Sequence, residues 1–374
     1  MISIGLVVGT RPEVIKMFPV YRRLVESDRL QPYVINTGQH REMVDELLRL
    51  FGMKANINLG LMRPRQSLAY ITASVLERLE SLLEARDCCE VLLVQGDTTT
   101  AMAAAMSAFY AGIPVGHVEA GLRTWNKKEP YPEEVNRQVI SRVADFHYCP
   151  TEWARQNLVK EGIREGDLLV TGNTVVDSLL WIRNSTILDA GLFPWAVEGR
   201  PYVLVTGHRR ENWGEGIENV CGALLDVLHD NKDLLVVYAA HPNPRVREGI
   251  YKLLRSVERG PRNRFLVLEP VSYGQFVHLM ARAKVIVSDS GGIQEEAPSL
   301  GVPVVCTRER TERPEGVDAG LVTLVGTMRS RVRKAILAHL ETRGRPRVAS
   351  NPYGDGNAGQ RIVAHLERYC ATRR

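Results

Sequence analysis

Apolar residues along this chain alternate between two patterns. Short, mainly apolar runs rich in β-branched residues fall at 4–9, 33–37, 91–95 and 114–118. Segments with apolar positions three or four residues apart follow, at 14–24 and 101–110. A continuous apolar run predicts a strand covered on both faces, and the 3.6-residue period predicts an amphipathic helix. Gly112 marks the close of the alanine-rich helix at 101–110. A looser stretch at 188–201, with glycines, two prolines and Trp195, precedes a second series of strands at 202–206, 234–238, 265–268 and 285–288. The pattern therefore predicts an α/β chain of two Rossmann-like domains, with ligand bound outside the carboxyl ends of the strands and hence in the cleft between the halves.

Polar, chemically capable side chains cluster just after those runs. Arg11, Glu13 and Lys16 follow the first strand, Gln39 and His40 the second, Asp97 the third and Glu119 the fourth. In the second half His208, Arg209 and Arg210 follow the first strand and His241 the next, while 288–296 follows the last. Each alone has a structural reading, Asp97 as a helix N-cap or His241 as a satisfied core histidine. Their common placement at one end of the strands points to a site. Within 288–296, Ser290, Gly291 and Gly292 stand between a strand and a helix. Backbone N–H groups there approach a ligand closely and the helix start favours anionic oxygens, so a diphosphate suits it.

Composition narrows the field. With 374 residues, 44% hydrophobic and 24% charged, the chain is long enough for two cores and has no disordered or low-complexity composition. No apolar run reaches membrane-helix length and the first residues lack a signal peptide, so a cytoplasmic protein with no membrane partner is expected. Six cysteines without C-x-x-C spacing point to reduced thiols. A net charge of +5 suits an anionic small molecule, and the basic run at 329–347 reads as a solvated helix face, with no nucleic acid expected. No G-x-G-x-x-G follows the first strand, no Walker lysine motif occurs, and neither H-x-H nor H-E-x-x-H is present. Dinucleotide, ATP and metal chemistry are disfavoured, and no cofactor is expected.

Ten motifs, in order, resemble the non-hydrolysing UDP-N-acetylglucosamine 2-epimerases. They are GTRPEVIKMFPV from Gly9, TGQHREM from Thr37, GDTTT from Gly96, PVGHVEAGLRT from Pro114, PEEVNR from Pro132, TGNTVVD from Thr171, HRREN from His208, SDSGGIQEEAPSLG from Ser288, TERPE from Thr311 and NPYGDG from Asn351. The resemblance implies a GT-B-like fold with domains at 1–170 and 171–359. A last helix at about 360–374 would pack back on the first domain. It also implies C2 epimerisation of UDP-GlcNAc to UDP-ManNAc, by expulsion of UDP to give 2-acetamidoglucal and re-addition with the proton on the opposite face.

Carried over residue by residue, the resemblance makes Asp97, Glu119, Glu133 and His208 catalytic. Acids packed together there would raise one another's pKa values, so that one holds a proton while another accepts one. Arg11, Lys16, Arg137, Phe276, Ser290, Gly291, Gly292, Glu296 and Arg313 become substrate-binding, with Phe276 against the uracil. A second UDP-GlcNAc, acting as activator, would meet Gln39, Arg65, Gln66, Glu134, Arg209 and His241, and a homodimer is expected. The chain departs from the pattern at Gln95, where a histidine is common, at Val271, where a glutamine often stands, and at 126–131. In that last segment Lys127 and Lys128 leave open an acidic substrate, UDP-2,3-diacetamido-2,3-dideoxy-glucuronic acid. A hydrolysing 2-epimerase, a GT-B glycosyltransferase and a non-catalytic nucleotide-sugar sensor are further readings at this point.

Overall fold

The computed structural model describes residues 1–39, 41–63, 66–84, 88–185, 197, 199–207, 214–239, 244–255, 257–342 and 351–372. The strands are β1 (Ile2–Val8), β2 (Leu30–Asn36), β3 (Ile57–Asn58), β4 (Val91–Gln95), β5 (Val115–Val118), β6 (Phe146–Cys149), β7 (Leu168–Val170), β8 (Tyr202–Thr206), β9 (Leu235–Ala239), β10 (Phe265–Leu268), β11 (Val285–Ser288), β12 (Val304–Cys306) and β13 (Val322–Leu324). The helices are α1 (Arg11–Val25), α2 (Arg41–Leu50), α3 (Leu68–Glu84), α4 (Thr99–Tyr110), α5 (Glu133–Val143), α6 (Glu152–Lys160), α7 (Thr174–Asn184), α8 (Glu215–Asp230), α9 (Pro244–Arg255), α10 (Arg259–Arg262), α11 (Tyr273–Arg282), α12 (Gly291–Ser299), α13 (Pro314–Asp318), α14 (Arg329–Glu341) and α15 (Ala358–Thr372).

Two all-parallel sheets result, ordered β3-β2-β1-β4-β5-β6-β7 and β10-β9-β8-β11-β12-β13. Each has the doubly wound order in which the chain starts at the centre, winds outward, then returns to wind the other way. The switch points therefore lie between β1 and β4 and between β8 and β11. Both sheets are Rossmann-like and the architecture is GT-B-like. The chain divides into two compact units, 1–178 with 353–374, and 179–352.

In the first unit the core forms around Val7, Ile35, Leu92, Val94 and the inner faces of α3 and α4. Helix α4 explains its own composition. Ala101, Ala103, Ala104, Ala105 and Ala108 are all buried, because small side chains let the helix sit close to its neighbours. Thr98 starts it, its hydroxyl accepting the N–H of Ala101 at 2.9 Å. Helix α15 completes this unit. Pro19 in α1 faces it so closely that a Cβ on Gly359 would lie 2.7 Å from the Pro19 carbonyl oxygen, and His365 meets the Tyr148 hydroxyl at 3.0 Å. In the second unit the core gathers Val203, Val205, Val236, Val285 and Val287 against α8 and α14. Among the described residues, no helix is long and apolar enough to cross a membrane.

Strands β3, β6, β7, β12 and β13 did not stand out in the apolar pattern. They are two to four residues long, and β6 reads Phe-His-Tyr-Cys, which carries no apolar run.

Candidate functional site

The first unit's switch point carries the acids. Glu119, the residue after β5, adopts φ 66°, a left-handed conformation that costs a non-glycine residue about 1–2 kcal/mol. Its carboxylate is heavily held. Lys16, on the first turns of α1, pairs with Oε1; the Gln95 side-chain amide donates to Oε2; and the Asn173 amide donates to Oε1 at 3.0 Å. All four side chains are buried. Three donors from three elements fix the carboxylate and hold the backbone in its left-handed turn.

Asp97 sits one residue beyond Gly96, itself at φ 71°, and a Cβ placed on Gly96 would lie 3.5 Å from Glu119 Oε2. The loops carrying the two acids are therefore neighbours. From α5, Arg137 Nε donates to Asp97 Oδ2 at 2.8 Å and Nη2 stands 2.6 Å from the same oxygen in an ion pair, so both contacts fall on Oδ2 of a side chain that stays 27% exposed. Asn136 donates to the Asp97 carbonyl at 2.9 Å. Glu133 opens α5, half-buried, three and four residues before Asn136 and Arg137, and so lies on the helical face that holds Asp97. Arg11 is half-buried at the first turn of α1.

Glu13 ties the loops together from below. Its carboxylate accepts the N–H of Gly9 and of Thr10, both at 2.8 Å, and the hydroxyl of Thr98 at 2.5 Å. Burial pushes its carboxyl up, while those three donors oppose the shift.

Glu134 has another task. It is fully buried, accepts the N–H of Thr124 and of Trp125 at 3.0 Å, and pairs with Arg137, so it anchors the loop after β5. Gln39 accepts the Thr100 hydroxyl and, through its carbonyl, the Gln66 amide at 3.4 Å, which brings Gln39 and Gln66 together. Arg65, His208, Arg209 and His241 lie outside the described residues, as do His40 and Arg210.

In the second unit, α12 starts at the switch-point strand β11. Ser290 is its N-cap, with extended backbone and no side-chain cap bond, so its first N–H groups are not taken up by the cap. Behind them lies a buried chain of charge, Arg308–Glu312–Arg313–Glu295. A Cβ on Gly291 would fall 2.6 Å from Arg313 Nη1, so only glycine lets the helix start sit against this arginine. Glu296 accepts the Tyr273 hydroxyl at 3.3 Å, and Phe276 lies half-buried one helical turn along α11. Gly207, after β8, stands with its Cβ position 3.6 Å from Asp289 Oδ2, in ordinary van der Waals contact across the second switch point.

Asn136, Asn173 and Thr98 escape residue-level reading of the sequence, although all lie inside quoted motifs. Their signal is adjacency: each stands next to, or one helical turn from, an acid or a βα junction. Among the described residues, no three His, Cys, Asp or Glu side chains group as metal ligands.

Two Rossmann-like units, one with clustered acids at its switch point and the other with a glycine-opened helix over buried arginine, define a GT-B-like α/β protein. Its sequence places it more narrowly. A family model described as UDP-N-acetylglucosamine 2-epimerase matches residues 22–367, and the chain belongs to that family. It is 45% identical to the UDP-N-acetylglucosamine 2-epimerase of Yersinia pestis, covering 98% of both chains. It is 44% identical to that of Escherichia coli strain K12, covering 96% of this chain and 97% of the relative. Among solved structures it is similar to the UDP-GlcNAc 2-epimerase from Neisseria meningitidis bound to UDP-GlcNAc. That match has 42% identity and a TM-score of 0.87, over 98% of this chain and 100% of that one.

Proposed function

We propose that this chain interconverts UDP-GlcNAc and UDP-ManNAc by inverting C2 of the sugar. The observation that carries the reading is the pinning of two acids on adjacent loops by separate cations, Glu119 by Lys16 and Asp97 by Arg137. The C2 hydrogen has no neighbouring carbonyl to acidify it, so simple removal and return of the proton is too slow. In the route proposed here, one carboxylate takes the proton from C2 as the bond from C1 to the diphosphate oxygen breaks. The electron pair of the C–H bond becomes the C1=C2 double bond of 2-acetamidoglucal, and UDP departs with the bonding pair. Re-addition runs these movements in reverse, with the proton delivered to the other face of C2 by a second acid.

Asp97, Glu119 and Glu133 supply the proton-handling groups, and His208 supports the leaving phosphate. The uncapped start of α12, with Ser290, Gly291 and Gly292 over Arg313, suits the diphosphate; Glu296 and Phe276 suit ribose and uracil. Arg11, Lys16 and Arg137 set the charge around the acids. A second UDP-GlcNAc acts as activator beside Gln39 and Gln66, and the protein is a homodimer, for which the exposed neighbouring rings of Phe109 and Tyr110 offer an apolar surface.

Proton NMR of the protein with UDP-GlcNAc in D2O, without added metal or nicotinamide, tests the reading. UDP-ManNAc carrying deuterium at C2 is the expected product. Free ManNAc would indicate hydrolysis. Conversion of the diacetamido uronic acid analogue alone would keep the chemistry and change the substrate, and no reaction with either would overturn the reading.

A further inference from the structure

His117 is fully buried, and it joins the two loops that carry Asp97 and Glu119. It stands in β5, two residues before Glu119, and its Nε2 meets the carbonyl of Gly96 at 2.7 Å. The N–H of the same glycine donates to the carbonyl of Val118 at 3.0 Å. Both polar groups of Gly96 are thus held by consecutive residues of β5. One residue past this clamp in one direction is Asp97, and one residue past it in the other is Glu119. Gly96 is in the left-handed region, where the peptide between β4 and Asp97 turns away from the strand direction. The orientation of that peptide decides where Asp97 points.

We infer that His117 is a positioning residue, whose Nε2–H bond to Gly96 sets the separation and direction of Asp97 relative to Glu119. The inference rests on the epimerase reading above. A carbonyl only accepts, so Nε2 carries the proton and Nδ1 is bare. Nδ1 has no hydrogen-bond partner among the described residues. Burial pushes the His117 imidazolium down to about 3, with His147 on the paired strand β6 and Arg123 adding to the shift. The ring is therefore neutral and stays in this one tautomer. A lone bare nitrogen buried in the core costs stability, so this histidine is a poor choice for packing alone. A leucine would fill the same space at less cost but would leave the Gly96 carbonyl without its donor.

The test pairs two substitutions. His117→Leu keeps the volume and removes the donor, and His117→Gln restores an N–H at the position of Nε2. The leucine variant should retain UDP affinity and KM while kcat falls roughly 10–100-fold, the scale expected when a reacting group is displaced by about an ångström. The glutamine variant should recover most of that loss. Should the leucine variant fail to fold, His117→Asn takes its place, because the asparagine amide ends at the Nδ1 position and does not reach Gly96. Wild-type kcat in the leucine or asparagine variant would overturn the inference. So would equal losses in the donor-less and glutamine variants, or a loss carried by KM and UDP affinity. Wild-type protein that fails to convert UDP-GlcNAc would instead overturn the epimerase reading, and the inference with it.

Discussion

Asp97 and Glu119 are both held by cations, but differently. Lys16, Gln95 and Asn173 occupy both oxygens of Glu119, whereas the Arg137 guanidinium meets a single oxygen of Asp97, through one N–H bond and an ion pair. That difference yields a prediction. Asp97→Asn preserves an oxygen for Arg137 and the carbonyl bond to Asn136, so the protein should fold and bind UDP as before while kcat falls roughly 10²–10⁴-fold. NMR turnover together with UDP calorimetry checks it, and loss of folding would show Asp97 to be structural. Glu134 shows why burial must be read alongside identity. It adjoins Glu133 in sequence, yet its carboxylate is committed to two backbone N–H groups and to Arg137.

Among the elements, α15 is held at its start by α7, where Asp177 accepts the N–H groups of Ala358 and Gly359 at 3.2 and 2.9 Å. Burial raises the Asp177 carboxyl from 3.8 to about 6, against the two backbone donors that favour its charge. A folded pKa above the unfolded one means that the native state binds the proton more tightly. The contribution is then fully present below about pH 4 and lost as pH rises through about 6. Relative to Asp177→Asn, wild-type protein should lose about 2 kcal/mol between pH 4 and pH 7, measured by urea unfolding at both. A difference that is flat or of opposite sign would refute the shift. The long elements were legible in the sequence because their periods are unbroken: β4 is apolar but for Gln95, and α4 repeats alanine along its length. The short outer strands were not, since two to four residues carry no period and their pairing is decided by the sheet they join. The acids were legible from their place after strands. Their holders were less so, because Gln95 and His117 sit inside strands and Asn173 is a small polar residue at a loop end, and contacts across 24, 21 and 54 positions leave no local trace.

Over the whole molecule, all six cysteines are buried and none forms a disulfide. Burial pushes the thiols of Cys149 and Cys221 up to about 12 and that of Cys306 up to about 11. The reactive thiolate is therefore scarce at neutral pH. Native protein should give almost no colour with a disulfide reagent such as DTNB, and six equivalents after denaturation. Prompt reaction of several thiols in the native state would contradict the packing described. The first unit is discontinuous, using residues 1–178 and then 353–374. Ile362, Val363 and Leu366 of α15 are buried in it, so a nascent chain that has emerged only to residue 178 still exposes the apolar surface these side chains cover. Domains generally fold as the ribosome releases them, amino-terminal first. Here the order is inverted: residues 179–352 emerge complete while the first sheet is still waiting for its last helix. A nascent chain that has brought out residues 1–352 but not 358–372 therefore carries a complete second unit beside a first sheet whose α15 surface is still uncovered.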